Sequence, residues 1–230
     1  MTENEQPEVG AIIVAAGKSQ RMSGTDKIFA PLAGQPVLLR VLQPFIDCPS
    51  VDRIVVVLNN RNYDEVKELI VEQNWDNDVA VCIGGKRRQD SVLAGLKLLG
   101  DCDLVVIQDG ARPMVTVDMI ENGLEAVKET GAAIAAVPAT DTIKMADKDM
   151  IARQTLPRDN LWLCQTPQVF LYDVLIKAYR EAIAEVTDDA QIVELAGGKV
   201  KLYQGSYDNI KITTPADLAI AEMLWQKRKK

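Results

Sequence analysis

The feature that most constrains the fold is a regular alternation of short apolar runs with helix-like stretches. The apolar runs are rich in Val and Ile and lack polar–apolar alternation, which is typical of strands buried on both faces of a parallel sheet. The predicted strands are Val9–Ala15, Arg53–Leu58, Val79–Ile83, Leu104–Ile107 and Ala132–Val137. The predicted helices are Val37–Ile46, Tyr63–Gln73, Asp90–Leu99 and Val117–Glu129. This order predicts an α/β protein with an open, mostly parallel, Rossmann-like sheet and helices on both faces.

The alternation is interrupted between residues 140 and 163, a segment that we call the arm. Two short strands with polar edges, Asp141–Met145 and Ile151–Leu156, flank a predicted turn at Ala146–Asp149. A hairpin this polar cannot be a central strand pair, so we expect a surface flap or an arm that projects to a partner subunit. The α/β pattern then resumes with helices Tyr172–Glu185 and Asp189–Ala196, a strand Val200–Gln204 and a helix that starts at Thr214-Pro215.

Length and charge limit the classes of function. A chain of 230 residues predicts a single domain, residues 1–230, with the arm as its appendage. Acidic residues outnumber basic ones by 33 to 26, and the net charge of −7 argues against sequence-independent nucleic-acid binding. The sequence contains no histidine, which excludes Ser-His-Asp and Cys-His catalysis and histidine-ligated zinc. A chemistry that needs no base near neutral pH is favoured.

The sequence also suggests a cytoplasmic location. The four cysteines never form a C-x-x-C pair, and we interpret them as reduced, structural thiols. The polar, acidic residues Met1 to Glu8 are the opposite of a signal peptide, and the apolar stretches are too short to span a bilayer. We interpret the basic run Lys227–Lys230 as the solvated end of a helix. We therefore expect neither a membrane nor a nucleic acid among the partners.

Basic residues collect after the predicted strands. Because ligands of open parallel sheets bind at the carboxyl ends of the strands, these segments should lie together. They are Ala15-Ala16-Gly17-Lys18-Ser19-Gln20-Arg21 with Lys27, Gly84-Gly85-Lys86-Arg87-Arg88, Asp109-Gly110-Ala111-Arg112 and Asp208-Asn209-Ile210-Lys211. Positive charge at one edge of an acidic protein predicts a small, multiply anionic ligand, with a triphosphate as the natural candidate.

Each of these segments also has a simpler interpretation. Gly17-Lys18-Ser19 is not a phosphate-binding P-loop, because Ile12 stands where that motif needs glycine, so this loop either approaches a nucleotide or is a strand-to-helix turn with solvated bases. The backbone amides of Gly84-Gly85 could line a site for an anion or for the edge of a nucleotide base. The alternative is that this segment is an exposed turn. Asp109 could hold Mg²⁺ or a ribose hydroxyl, or could cap a helix.

Taken together, these motifs resemble a known family. Ala15-Ala16-Gly17-x-x-x-Arg21-Met22 with Lys27 is similar to the opening loop of sugar-phosphate nucleotidyltransferases, and residues from about 9 to 225 resemble the 2-C-methyl-D-erythritol 4-phosphate cytidylyltransferases among them. The other motifs, in family order, are Gly84-Gly85 with Asp90-Ser91-Val92, Asp109-x-Ala111-Arg112-Pro113, Asp141-Thr142-x-Lys144, Arg158 with Leu161-Trp162, Gln165-Thr166-Pro167-Gln168, Thr187-Asp188-Asp189-Ala190 and Asp208-Asn209-Ile210-Lys211.

The resemblance implies an enzyme that converts CTP and 2-C-methyl-D-erythritol 4-phosphate to the CDP-methylerythritol and pyrophosphate with Mg²⁺. It implies that Arg21 and Lys27 stabilise charge on the triphosphate, and that Arg158 and Lys211 position the sugar phosphate. The arm would embrace a second subunit and complete the site of a homodimer. The remaining implied site residues are Thr142, Arg112 and Thr166 at the sugar phosphate, Ala15, Ala16, Gly17, Gly85 and Ser91 around the cytidine, and Asp109 at the substrate and the metal.

Some residues depart from the family pattern, and two other functions stay open. Ser19 and Lys86 stand where a glycine and an acid are common, Asp26 replaces a common proline before Lys27, and Gly110 follows Asp109 where alanine is usual. One alternative function is a ribitol-5-phosphate cytidylyltransferase, although the segment 155–162 of the arm looks more like the methylerythritol enzymes. The other is a non-catalytic, nucleotide-binding dimer, which retention of Arg21, Lys27, Asp109, Arg158 and Lys211 disfavours.

Overall fold

The structure is a computed structural model that describes residues 6–17, 21–22, 26–75, 78–181 and 186–228. Its strands are β1 Val9–Val14, β2 Pro31–Leu32, β3 Gln35–Pro36, β4 Arg53–Leu58, β5 Asp78–Ile83, β6 Leu104–Asp109, β7 Ala132–Pro138, β8 Lys144–Ala146, β9 Ala152–Thr155, β10 Trp162–Leu171 and β11 Lys201–Gln204. Its helices are α1 Val37–Ile46, α2 Tyr63–Val71, α3 Arg88–Leu99, α4 Val117–Thr130, α5 Tyr172–Glu181, α6 Asp189–Leu195 and α7 Pro215–Arg228. Several positions named in the sequence analysis lie outside the described residues. They are Met1 to Glu5, the Lys18-Ser19 pair, the predicted end of a helix at Glu185 and the last two lysines.

Seven strands form one sheet, and the prediction of an open, mostly parallel sheet is confirmed. The order is β11-β7-β10-β6-β1-β4-β5, and every pairing is parallel except the two that β10 makes. The predicted burial on both faces holds for β1, β4, β6 and β7. It is wrong for β5, which is only half-buried because it lies at an edge of the sheet.

Helices cover both faces of the sheet, as predicted. Alternate residues of β1 belong to two separate apolar clusters, because successive side chains of a strand point to opposite faces. Helices α1, α2, α4 and α7 contribute to the cluster that contains Ala11 and Ile13. Helices α3, α5 and α6 contribute to the cluster that contains Ile12. Thr116 caps α4 with its hydroxyl, and Gly131 ends the same helix with a φ of 80°.

Strand β10 is the strand of the main sheet that the sequence pattern did not predict; the short pair β2 and β3 outside that sheet was not predicted either. It lies between β6 and β7 and is antiparallel to both. Proline is rare in central strands except at bulges, and β10 has a register shift between Cys164 and Gln168 where the cis peptide bond Thr166–Pro167 lies. The buried amides of Gln165 and Gln168 also break the apolar run that usually marks such a strand.

The arm forms a hairpin separate from the main sheet, as predicted. Strands β8 and β9 pair only with each other, and their residues are exposed. The strands are shorter than the two predicted ones, and the turn includes Met150 with a φ of 61°. A short 3-10 helix at Arg158–Asn160 then leads into β10.

Candidate active site

A pocket of about 750 Å³ opens at the carboxyl ends of the parallel strands. Strands β4 and β6 pair with β1 on its two sides, and the chain passes from β5 back across β1 to β6. The connections after β1 and β6 therefore leave in opposite directions, which is the topological point where open α/β sheets bind ligands. The walls come from the segments after β1, β4, β5 and β6 and from the loop that holds Lys211. The prediction that these segments meet at one edge is confirmed.

The pocket is strongly basic. Among the described residues, its wall carries the side chains of six basic residues and of one acidic residue, Asp109. The basic residues are Arg21, Lys27, Lys86, Arg87, Arg88 and Lys211. The chain as a whole has a net charge of −7, so positive charge is concentrated here against the overall balance. A concave site lined by one sign of charge attracts and holds ligands of the opposite sign.

Asp109 is the anion around which the cations gather. Its Oδ2 lies 2.7 Å from Lys211 Nζ and 3.5 Å from Arg112 Nε, and its Oδ1 lies 3.6 Å from Arg88 Nε. Burial alone would raise the pKa of Asp109, but Lys211, Arg88 and Arg112 together hold that pKa well below its ordinary value. The carboxylate therefore stays ionised at neutral pH. It ends β6 and caps no helix, since α4 begins only at Val117.

Two predicted residues lie behind Asp109 and are absent from the pocket wall. Thr166 is buried, and its Oγ1 accepts a hydrogen bond from the Asp109 backbone N–H at 3.1 Å. Arg112 donates from Nη1 to the Asn209 carbonyl at 2.7 Å while its Nε faces Asp109. Both residues hold Asp109 and the Lys211 loop in place, and their direct contact with a sugar phosphate stays a prediction.

The loop that carries Lys211 is fixed by buried hydrogen bonds. Asn209, which is fully buried, donates from Nδ2 to the Thr166 carbonyl at 2.8 Å. The Ile212 N–H donates to the Ala111 carbonyl at 2.8 Å, so the loop is attached to the segment after β6. These contacts flank Lys211 on both sides and direct its ammonium group to Asp109.

Lys27 reaches the pocket from the loop before β2. Asp26 accepts a hydrogen bond from Asn62 Nδ2 at 2.7 Å and another from the Ile28 N–H at 3.3 Å, and Ile28 is buried in the core. Burial lowers the pKa of Lys27, and the neighbouring charge of Lys211 lowers that pKa further. The described parts of the loop between β1 and β2, residues 15–17, 21–22 and 26–30, contain no helix.

The segment after β5 forms a narrow wall. The Gly85 N–H donates to Ser91 Oγ at 3.2 Å, and Ser91 Oγ in turn donates to the Arg87 carbonyl at 3.2 Å. A Cβ on Gly85 would lie 2.3 Å from the Asp90 Cβ, so this position accepts only glycine without movement of the helix start. The segment therefore lies against the start of α3, but Gly85, Lys86 and Arg87 are exposed, so the interpretation as an exposed turn stays open.

Most of the predicted site residues line the pocket, Arg112 and Thr166 lie behind Asp109, and two more lie on the arm. Thr142 and Arg158 are exposed on the arm and do not line the pocket of their own chain. Arg158 donates from Nη1 to the Thr140 carbonyl at 2.8 Å within the arm. The predicted residues on the pocket wall are Ala15, Ala16, Gly17, Arg21, Lys27, Gly85, Ser91, Asp109 and Lys211.

Sequence reasoning missed Arg88 as a site residue. It lies on the pocket wall, faces Asp109 and pairs with the buried Asp189 at 2.5 Å. The signal was present as three consecutive bases, but spacing could not show which of them pairs with a buried carboxylate and which, like Arg87, pairs with the more exposed Asp90. The position of Asp189 in the motif Thr187-Asp188-Asp189-Ala190 was a second signal.

Comparisons with known proteins agree with one another. The sequence model of the 2-C-methyl-D-erythritol 4-phosphate cytidylyltransferase family matches residues 9–227. A protein of that name from Dehalococcoides mccartyi (strain ATCC BAA-2266 / KCTC 15142 / 195) is 50% identical over 220 residues, which cover 96% of this chain and 97% of that protein. One from Alkaliphilus oremlandii (strain OhILAs) is 42% identical over 229 residues, with coverage of 96% and 97%.

Solved structures give the same result. The 4-diphosphocytidyl-2C-methyl-D-erythritol synthase from Anaerococcus prevotii DSM 20548 superposes with a TM-score of 0.86 at 30% identity, over 96% of this chain and 100% of that chain. The 2-C-methyl-D-erythritol 4-phosphate cytidylyltransferase from Thermus thermophilus superposes with a TM-score of 0.77 at 32% identity, over 95% and 99% of the two chains.

Proposed function

The chain belongs to the 2-C-methyl-D-erythritol 4-phosphate cytidylyltransferase family, and on that premise we propose that the pocket is its active site. The enzyme converts CTP and 2-C-methyl-D-erythritol 4-phosphate to 4-CDP-2-C-methyl-D-erythritol and pyrophosphate, a step of non-mevalonate isoprenoid biosynthesis. The observation that carries the assignment of the site is its charge: of the residues that the structure describes, six basic side chains and one acidic one line a pocket in an acidic protein. Such a site suits two phosphate-bearing substrates.

The reaction needs positioning and charge neutralisation more than proton transfer. A phosphate oxygen of the methylerythritol phosphate attacks the α-phosphorus of CTP, and the bond from that phosphorus to the bridging β-phosphate oxygen breaks, so pyrophosphate leaves. A phosphate monoester has a second pKa of about 6, so the nucleophile is already ionised at neutral pH. The lack of histidine in the chain is therefore compatible with this chemistry.

The basic side chains have separate roles in this proposal. Arg21 and Lys27 face the triphosphate and stabilise the charge that develops on the transferred group and on the leaving pyrophosphate. Lys211 positions the phosphate of the sugar. The backbone of Ala15, Ala16, Gly17 and Gly85, with Ser91, frames the cytidine, since small residues let the nucleotide approach the main chain.

The carboxylate oxygens of Asp109 fit a magnesium ion that takes most of its other ligands from the substrate. Mg²⁺ is usually bound by one or two carboxylates together with substrate phosphates. Among the described residues no cluster of three acidic, cysteine or histidine side chains exists, so Asp109 would be the single carboxylate ligand. Its Oδ1 is the oxygen that would serve, because Arg88 lies beyond hydrogen-bond distance from it. When bound, Mg²⁺ would neutralise phosphate charge and orient the triphosphate.

A second copy of the chain completes the site in this proposal. Thr142 and Arg158 project from an exposed hairpin that has no contact with its own pocket. A two-fold dimer that exchanges arms would bring both residues to the partner's pocket. The guanidinium of Arg158 would then hold the phosphate of the sugar with two parallel hydrogen bonds.

We place the enzyme in the cytoplasm. Its four cysteines are unpaired, which fits a reducing compartment. Among the described helices, none has the length and apolar character that crossing a membrane requires.

A pyrophosphate-release assay tests the function directly. The purified chain is incubated with Mg²⁺ and each of CTP, UTP, ATP and GTP, in combination with methylerythritol 4-phosphate or ribitol 5-phosphate. Pyrophosphate release only with CTP and methylerythritol 4-phosphate is the expected result. Faster release with ribitol 5-phosphate would reassign the acceptor. No release with any pair would overturn the proposed reaction, and calorimetric CTP binding would then test for a nucleotide-binding protein without turnover.

A further inference from the structure

A buried chain of charged groups links the pocket to helix α6. Tyr179 Oη donates to Asp189 Oδ1 at 2.6 Å, and Arg88 Nη1 donates to Asp189 Oδ2 at 2.5 Å. On its other side, Arg88 Nε lies 3.6 Å from Asp109 Oδ1. The side chain of Asp189 is buried almost completely. One guanidinium is thus shared between a carboxylate on the pocket wall and a carboxylate behind it.

The contacts of Arg88 with the two carboxylates differ in length. Charge-assisted hydrogen bonds between nitrogen and oxygen have lengths of about 2.7–2.9 Å. The contact of Arg88 with Asp189 is at least this short, whereas its distance from Asp109 is too long for a hydrogen bond. Asp109 Oδ1 therefore faces a cation without being bound to it.

Asp189 is fixed in place more firmly than a surface carboxylate would be. It is the first residue of α6, whose start is capped by Asp188 through the Gln191 N–H. The next N–H, that of Ala190, donates to the buried Gln168 Oε1 at 3.0 Å on the central strand β10. The position of Asp189 relative to the sheet is therefore set by hydrogen bonds that do not involve the pocket.

We propose that Asp189 is a positioning residue that holds Arg88 back from Asp109 and so keeps Asp109 Oδ1 available to the divalent cation of the nucleotide. Without the charge of Asp189, Asp109 is the one carboxylate among the described residues that stays within reach of the guanidinium, which would close on it. An arginine at hydrogen-bond distance from Oδ1 would compete with a cation for that oxygen. The inference rests on the proposed function, because it assumes that a cation binds with the triphosphate.

Binding of Mn²⁺ provides a readout that is independent of turnover. The probe is Mn²⁺ with the unreactive analogue cytidine 5′-(α,β-methylene)triphosphate, and the free Mn²⁺ is followed by electron paramagnetic resonance. We expect Asp189→Asn to raise the Mn²⁺ Kd of the enzyme–analogue complex by about 10- to 100-fold, the loss typical of removing a group that supports a metal ligand. Asp188→Asn is the matched control: it removes the adjacent carboxylate, keeps the helix cap and should leave the Kd unchanged.

A second substitution separates this effect from general damage. In Arg88→Gln with Asp189→Asn, two neutral amides replace the ion pair and no guanidinium remains to close on Asp109. The double variant should therefore recover most of the Mn²⁺ affinity that Asp189→Asn loses. Arg88→Lys keeps a cation for Asp189 but cannot reach both carboxylates, so its Mn²⁺ Kd should stay close to that of the wild type.

Three results would overturn the proposal. The first is a wild-type Mn²⁺ Kd in folded Asp189→Asn, with folding checked by circular dichroism. The second is a double variant that binds Mn²⁺ as poorly as Asp189→Asn. The third is a large loss of Mn²⁺ affinity in folded Arg88→Lys. This third result tests the proposal even if Asp189→Asn does not fold. Failure of the proposed function itself would appear separately, as a wild-type chain that releases no pyrophosphate.

Discussion

The ammonium group of Lys211 lies 2.7 Å from Oδ2 of Asp109, at the edge of a pocket where Asp109 is the only acidic side chain among the described lining residues. Asp109→Asn removes both the partner of this ammonium group and the proposed carboxylate ligand of Mg²⁺. We expect the Mg²⁺ concentration for half-maximal pyrophosphate release to rise. The melting temperature should also fall, because Arg88 and Arg112 would keep their buried charge without this counter-ion.

The control for this prediction is Asp101→Asn, which removes one exposed carboxylate between α3 and β6. It should change neither the Mg²⁺ titration nor the melting temperature. An Asp109→Asn enzyme with an unchanged Mg²⁺ requirement would show that Asp109 only organises the basic side chains and is no ligand of the metal.

Lys27→Met tests the role of the ammonium group on the loop before β2. Removing one charge-stabilising donor should lower kcat by roughly 10²- to 10³-fold. The Kd for CTP should change much less if the contact strengthens in the transition state. Steady-state kinetics and calorimetric CTP binding measure the two effects. Lys67→Met, an exposed position on α2, should behave as the wild type, and near-normal turnover of Lys27→Met would remove Lys27 from the mechanism.

The position of the site could be predicted from sequence because it depends on a simple rule. The strands β1, β4, β5 and β6 are marked by apolar runs, and the carboxyl ends of parallel strands share one edge. Any basic residue just after such a strand is therefore directed to the same place. The rule predicts that Lys27 and Asp109 lie at this edge, and both residues line the pocket.

The elements that sequence reasoning missed depend on contacts between distant parts of the chain. Strand β10 holds a proline and buried amides, so its local pattern does not indicate a central strand, and only its pairing with β6 and β7 defines it. Arg88 and Asp189 are 101 residues apart in sequence, and they can pair because α3 and α6 lie on the same face of the sheet. The local hydrophobic periodicity of the sequence therefore does not predict this ion pair.

The pH dependence of the reaction should reflect the surroundings of Lys27. Burial and the charge of Lys211 lower the pKa of Lys27 from its ordinary value of 10.5, so the ammonium group loses its proton at a lower pH than an exposed lysine does. We therefore expect kcat/KM at saturating Mg²⁺ to decline with rising pH before pH 10.5 is reached. In Lys27→Arg the decline attributable to this residue should move to higher pH, because a guanidinium stays protonated. A profile identical to that of the wild type would assign the alkaline decline to another group.

The contact between Asp26 and Asn62 should determine where Lys27 lies. Asn62 is buried at the start of α2 and donates to Asp26 Oδ2 at 2.7 Å, so it ties the Lys27 loop to the segment after β4. Displacement of a catalytic group by about 1 Å can lower the rate by up to about 10²-fold, and we expect losses of this kind in kcat for Asp26→Ala and for Asn62→Ala. Asn122→Ala, an exposed position on α4, serves as the control.

The double variant decides whether the two residues act through their contact. If they do, Asp26→Ala with Asn62→Ala should lose little more kcat than either single variant, since the same hydrogen bond is removed once. Losses that multiply would show that each residue acts independently.

Arg158 should act on the pocket of the partner subunit and not on its own. It is exposed on the arm and bonds only within the arm among the described residues, whereas Lys27 lines the pocket of the same chain. Lys27→Ala and Arg158→Ala are therefore each expected to be nearly inactive as pure proteins. When the two are unfolded together in equal amounts and refolded, half of the dimers should be mixed. In a mixed dimer one site collects both substitutions and the other collects neither, so about a quarter of all sites should be intact.

Activity of the refolded mixture, measured by pyrophosphate release, distinguishes the two geometries. Shared sites predict about a quarter of the wild-type activity, a direct consequence of the two-fold symmetry. If both residues serve the site of their own chain, every site keeps one substitution and the mixture is no more active than its parents. Native mass spectrometry must show mixed dimers in the sample for either result to count. Lys67→Ala refolded with Arg158→Ala is the control: because Lys67 is remote from the pocket, activity there should follow the number of Arg158 side chains alone.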